Sequence, residues 1–188
     1  MRSLTEEETK TLFSKLAVYC GRSLNNLIAP PSDDGASAER HVFRLQGSRV
    51  FYLPLKLANL AVSVPRANLL SAGTMIGKFT KTGKFRVNIT ALDVIAPHAR
   101  NRVWVKSNGE MPFLYGGNLV KAHIGRFSQD MAEHEGVIVL SADDKPLGFG
   151  VTARSTAETR KLEPTAIVVF RQADAGEWLR DEDTLFTT

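Results

Sequence analysis

The sequence predicts an α+β protein made of two successive small domains, and three observations carry that reading. Apolar residues recur at helical spacing mainly near the start of the chain. Short segments alternating apolar and polar residues, separated by turn signals, fill most of the rest. The charge balance also changes sign near the middle. The 188 residues are 43% hydrophobic and 23% charged, ordinary for a globular chain. Cys20 is the only cysteine, so no disulfide framework is expected. The longest apolar runs, such as Ala166-Ile167-Val168-Val169-Phe170, have the length of a strand and not of a membrane span. The opening Met1-Arg2-Ser3-Leu4-Thr5-Glu6-Glu7-Glu8 has no apolar stretch of a secretory signal and carries acids that transit peptides avoid. It predicts a protein that stays inside the cell.

Thr5 and Glu8 have capping-box spacing, and Leu12, Phe13, Leu16 and Cys20 follow at helical intervals, so an amphipathic helix opens the chain. Gly21 marks a break, and Pro30 to Glu39 is loop composition. His41 to Leu45 and Val50 to Leu53 flank Gln46-Gly47-Ser48-Arg49 as a β-hairpin. Pro54 opens a short helix at its first position. Leu69 to Phe79 and Phe85 to Ile89 read as two more strands around Lys81-Thr82-Gly83-Lys84, with Phe85, Val87 and Ile89 inward and Lys84, Arg86 and Asn88 outward. A short helix is expected within Ala91 to Ala99. Past a junction at Pro97 to Arg102, short strands (Val137 to Leu140, Leu147 to Ala153, Ala166 to Phe170) and one short helix around Pro112 to Tyr115 suggest a compact barrel or sandwich.

Residues 1–91 hold 13 Lys and Arg against 6 Asp and Glu, whereas 92–188 hold 11 against 14. From Arg40 to Leu92 there are nine basic residues (Arg40, Arg44, Arg49, Lys56, Arg66, Lys78, Lys81, Lys84, Arg86) and no acid. A stretch of one sign points to a polyanionic partner. The competing reading is that Glu6, Glu7 and Glu8 fold over it and neutralise it.

Gly77 to Phe85 resembles a phosphate-binding loop, but the spacing is off by one residue and Phe85 stands where a metal-binding hydroxyl is needed. Gly148-Phe149-Gly150-Val151-Thr152-Ala153 fits a loose dinucleotide pattern but reads as strand. His41, His98, His123 and His134 lack ligand spacing. The expectation is therefore no cofactor, no metal and no catalysis.

Taken together, Met1 to Thr9, Gly77 to Ala99, Phe113-Leu114-Tyr115-Gly116, Pro146 to Val151, Ala166 to Phe170 and Gln172 to Glu177 resemble the Nip-seven family of 60S ribosomal subunit biogenesis factors over nearly the whole chain. That resemblance implies an N-terminal α/β domain with a mostly antiparallel sheet (1–97), followed by a C-terminal PUA pseudo-barrel (100–180). It implies a non-enzymatic factor, monomeric when free, acting in the nucleus and nucleolus on 27S pre-rRNA processing. Its partners would be pre-rRNA and pre-60S assembly factors, an rRNA cytosine methyltransferase among them, and no membrane.

Candidate RNA-binding residues are Lys78, Lys81, Lys84 and Arg86 in the first domain, and Lys121, Arg126, Arg154, Arg160 and Lys161 in the second. The net acidity of the second half moves the expected contact to the first. Phe79 and Phe85 are candidates for base stacking, with core packing the competing role for Phe85. Two other functions fit the residues. One is a protein–protein adaptor whose acidic end, with Trp178 and Leu179 near Asp181-Glu182-Asp183, meets a basic partner. The other is an accessory domain of an RNA-modifying enzyme.

Overall fold

The computed structural model describes residues 1–28, 39–65 and 68–181. The Pro30 to Glu39 loop up to residue 38, Arg66 of the basic run, and Glu182 and Asp183 of the acidic end lie outside the described residues.

Helix α1 (Glu6–Cys20) starts with a complete capping box. The Glu8 amide donates to the Thr5 hydroxyl, and the Thr5 amide donates to the Glu8 carboxylate at 2.8 Å. Two donors that would otherwise be orphaned at the helix start are thus satisfied. The Arg2 guanidinium adds two further bonds to the same carboxylate at 2.6 and 2.8 Å. Gly21, at φ 54°, ends the helix in the left-handed region, where a side chain would be strained. A 3-10 turn (Gly21–Ser23) and α2 (Leu24–Ile28) follow.

The hairpin of β1 (His41–Gln46) and β2 (Arg49–Pro54) turns through Gly47 and Ser48, with Gln46 opposite Arg49. Strands β3 (Thr74–Phe79) and β4 (Phe85–Val87) complete an antiparallel sheet in the order β1-β2-β3-β4. Strand β3 is shorter than Leu69 to Phe79. At Gly73 (φ 77°) the backbone turns so close to the Tyr52 carbonyl that a Cβ would collide with it, and only then does the ladder begin. Pro54 ends β2 and precedes α3 (Leu55–Val62) rather than opening it. Beyond Val87 the chain enters a 3-10 turn (Ile89–Ala91) and α4 (Leu92–Ile95), shorter than the expected 91–99 span. Pro97, which brings no amide donor, closes that stretch.

The second half is a six-stranded, nearly closed barrel. Its strands are β5 (Arg102–Val105), β6 (Leu119–Val120), β7 (Ile124–Phe127), β8 (Gly136–Leu140), β9 (Pro146–Thr152) and β10 (Ile167–Asp174), in the order β6-β10-β9-β8-β5-β7. All neighbours are antiparallel except β5 and β8. Helix α5 (Ser107–Leu114) begins earlier than expected and contains Pro112. Two helices went unforeseen, α6 (Thr156–Thr159) and α7 (Glu177–Arg180). Each is a single turn, too short to show a helical period. Gly148 and Gly150 lie within β9, where a Cβ would collide with the Ala173 or Phe170 carbonyl of β10. The glycines thus serve close strand packing, not a nucleotide.

Val103, Val105, Phe113, Leu119, Val137, Val139, Val168 and Val169 fill the barrel. The larger core is shared between the halves. The stripe Leu12, Leu16, Tyr19 and Cys20 of α1 meets Phe43, Leu45, Val50, Ile76 and Phe85 of the first sheet together with Ile138, Leu140 and Phe149 of the barrel. The rings of Tyr19 and Phe149 pack edge to face at 5.2 Å. Gly136 lies so close to Val18 that a Cβ would sit 2.7 Å from the Val18 side chain and carbonyl. The Arg100 amide donates to the Tyr19 carbonyl at 2.9 Å.

Leu16→Ala should cost about 2–5 kcal/mol. Because its core spans both halves, calorimetry should show one unfolding transition at lower temperature rather than two. Acid should act through the helix cap. The bonds from Arg2 and then from the Thr5 amide lower the Glu8 pKa from an ordinary 4.5 to about 2. Its contribution is therefore full above the ordinary value and is lost as pH falls through the lower one. Melting temperature followed from pH 5 to 2 should decline less steeply in Glu8→Gln than in the parent.

Candidate nucleic-acid interface

The strand register sets the face on which each cation stands. Val50 and Phe85 point inward to α1 and the core, so their neighbours Arg49 and Arg86 point outward. Arg49 is opposite Lys78 on β3, and Lys78 is opposite Arg86 on β4. Three cations therefore form one row across three strands, which at the usual strand spacing of about 4.8 Å covers about 10 Å. The turn between β3 and β4 extends the row with Lys81 and Lys84. It is held by the Thr80 amide, which donates to the Lys84 carbonyl at 2.8 Å, and by the Lys84 amide, which donates to the Thr80 hydroxyl at 3.1 Å. Gly83 at φ 76° supplies the left-handed residue that this turn requires.

Lys78, Lys81, Lys84 and Arg86 are exposed and Arg49 is partly so. Among the described residues none of the five is ion-paired. The first-helix acids do not neutralise them. Glu8 is held by Arg2 and Thr5, and among the described residues Glu6 and Glu7 make no ion pair. Arg49 was missing from the sequence-derived set, although the two-residue hairpin turn fixes its register and could have placed it in the row. Phe85 is buried in the core, and Phe79 packs against it with ring centroids 5.0 Å apart. Phe85 is thereby removed from base stacking.

The second-half candidates are placed differently. The Lys121 ammonium donates to the Arg160 and Leu162 carbonyls at 2.9 and 2.5 Å, closing the end of α6. Arg126 lies 3.9 Å over the Trp104 ring and 3.7 Å from Asp144, which also accepts the Trp104 indole N–H. Arg154 pairs with Glu133 at 3.3 Å, and Arg160 with Asp130 at 3.7 Å. Only Lys161 of this set makes no such contact among the described residues. The structure brings the first-domain cations together and spreads the second-domain ones, most of them already partnered.

An exposed row of unpaired cations neutralises phosphates in register but does not read bases. Among the described residues no group of three His, Cys, Asp or Glu could hold a metal ion. The Cys20 thiol is buried and its pKa is pushed up by that burial to about 11, which keeps it protonated and unreactive at neutral pH.

Comparison with known proteins agrees with this architecture. The model for the NIP7/UPF0113 pre-PUA domain matches residues 1–89, and that for the UPF0113 PUA domain matches 101–183. The chain is 60% identical over 186 residues to the 60S ribosome subunit biogenesis protein nip7 of Schizosaccharomyces pombe, covering 99% of this chain and 100% of that one. It is 59% identical over 187 residues to its Saccharomyces cerevisiae counterpart, covering both completely. A conserved PUA domain protein from Thermoplasma acidophilum has the same fold, with a TM-score of 0.57 at 14% identity over 99% of both chains.

Exposed and partnered cations should respond differently to substitution. Lys78→Glu and Arg86→Glu should leave stability within about 0.5 kcal/mol in denaturant titrations. Lys121→Ala should cost about 1–3 kcal/mol, because it removes the donor from two carbonyls at the end of α6.

Proposed function

The chain belongs to the NIP7/UPF0113 family, and on that footing we propose that it is a non-enzymatic assembly factor of the 60S ribosomal subunit that binds pre-rRNA through its first sheet. The observation that carries the RNA contact is the contrast in charge pairing. Arg49, Lys78, Lys81, Lys84 and Arg86 are gathered and unpaired among the described residues, whereas most barrel cations are committed to carboxylates or carbonyls. Lys161 and the ends of Arg154 and Arg160 remain secondary contacts. The family relation supports action in the nucleus and nucleolus, on 27S pre-rRNA, beside other pre-60S factors that include an rRNA cytosine methyltransferase. It also supports a division into domains at 1–97 and 100–180.

An adaptor role is favoured by a separate observation. Leu57, Leu60 and Val64 are exposed along and just past α3, and Leu179 is 86% exposed on α7. Apolar surface of this kind suits protein partners. The two roles are compatible within one particle.

Five neutralised phosphates on a single strand should give log K a slope against log salt of roughly −3.5. Lys78, Lys81 and Lys84 changed together to Glu should abolish binding to a pyrimidine-rich oligonucleotide in filter assays, and unchanged affinity would contradict the reading. Pre-60S proteins recovered with the chain should fall away after RNase treatment. Their full retention would mark the adaptor role as dominant.

A further inference from the structure

The turn between β3 and β4 carries two threonines, Thr80 and Thr82, set among Lys78, Lys81 and Lys84. The structure gives the two hydroxyls different tasks. That of Thr80 accepts the Lys84 amide and donates to the Lys84 carbonyl, both at 3.1 Å, and so closes the turn. Thr80 is half-buried, and its carbonyl also accepts the Gly83 amide at 2.9 Å. Thr82 is exposed, and among the described residues its hydroxyl meets the Thr80 hydroxyl alone, at 2.9 Å. Lys81, Gly83 and Lys84 beside it are exposed too, and a Cβ added at Gly83 would meet nothing within 4 Å. Strand β4 is the edge of its sheet, so no further strand stands beside the turn.

We propose that the Thr82 hydroxyl is a phosphorylation site for a protein kinase that selects basic substrates, and that its phosphate weakens RNA binding at the row. The inference rests on the RNA-binding reading above and deepens it by naming a control of that surface. Access is the first argument. A phosphate on Thr80 would break the bonds that close the turn, whereas on Thr82 it disturbs a single exposed one. Recognition is the second. Lys81 directly precedes Thr82, and Lys78, Lys84 and Arg86 lie within four residues of it. A kinase groove lined by carboxylates complements such a segment, and the run from Arg40 to Leu92 offers no acid to oppose it.

The third argument is the consequence for the row. In the transfer, the Thr82 oxygen attacks the γ-phosphorus of ATP and the bond from that phosphorus to the β–γ bridging oxygen breaks. ADP leaves, and the hydroxyl proton passes to the catalytic carboxylate of the kinase. The phosphothreonine carries about −1.5 to −2 charge near neutral pH. Arg49, Lys78, Lys81, Lys84 and Arg86 have no ion-pair partner among the described residues, so the new charge cancels about two of them. Its oxygens also compete with RNA phosphates for the same ammonium groups.

Incubating the full chain with Mg-ATP and the catalytic domain of protein kinase C tests this. Mass spectrometry maps the phosphate, and fluorescence anisotropy reads binding to a labelled 12-nucleotide oligo-rU. Phosphate should appear on Thr82, and Thr82→Val should take none at that position while binding RNA as the parent does. The phosphorylated chain should bind about 25-fold more weakly at about 0.1 M salt, the loss of two contacts at the single-strand coefficient. Its slope of log K against log salt should fall from roughly −3.5 to roughly −2. An unchanged melting temperature separates this effect of charge from damage to the turn. If Thr82 stays unmodified, or if the phosphorylated chain keeps the affinity and slope of the parent, the site is overturned and the phosphate row stands. If the unmodified parent does not bind oligo-rU, the row falls and the switch with it.

Discussion

The apolar stripe of α1 is the contact on which the rest of this structure depends. A single helix cannot bury its stripe alone, and here Leu12, Leu16 and Tyr19 are covered by an antiparallel sheet and by a barrel together. The sequence pattern accordingly suggests two domains, while the packing gives them a common interior. The capping box and the Arg2 clamp at the start of α1, and Gly21 at its end, set the length of the helix. That length sets where both sheets sit. The basic row on the outer face of the first sheet is then the direct consequence of an inner face committed to α1.

The two halves treat their cations in opposite ways. In the barrel, carboxylates and carbonyls are within reach of most Lys and Arg side chains, so those charges are largely spent on local structure. In the first sheet no acid lies within the segment from Arg40 to Leu92, and the only nearby acid of α1 with a strong partner, Glu8, is taken by Arg2. Lys56 pairs with Glu39, but among the described residues Arg49, Lys78, Lys81, Lys84 and Arg86 have no ion-pair partner, and such a row stores repulsion that an external polyanion relieves. The same absence that makes the segment conspicuous in the sequence therefore makes it chemically available.

Much of this was legible before any coordinates. The capping box, the Gly47-Ser48 hairpin and the alternation in Phe85-Arg86-Val87 are local patterns whose physics acts within a few residues, and each appears where expected. What could not be read depends on distant partners. The fate of Lys121 was decided by the carbonyls of Arg160 and Leu162, and that of Arg126 by a tryptophan on a neighbouring strand. The single-turn helices α6 and α7 carry too few residues for periodicity. A cavity beside Arg49 joins residues from β2, β3, the 3-10 turn and α4 that follow the first sheet, and α7, a meeting that no linear spacing announces.

Asp174, with no exposure, is gripped by Arg171 and Arg180, and Arg180 also reaches the Leu114 carbonyl. These bonds tie α7 to the end of α5, and α7 carries Trp178. Only the loss of both guanidiniums would strand the buried negative charge, so each arginine covers for the other. The wall beside the first sheet is thus fastened from inside the barrel, and neither half isolated by proteolysis or truncation would retain that recess.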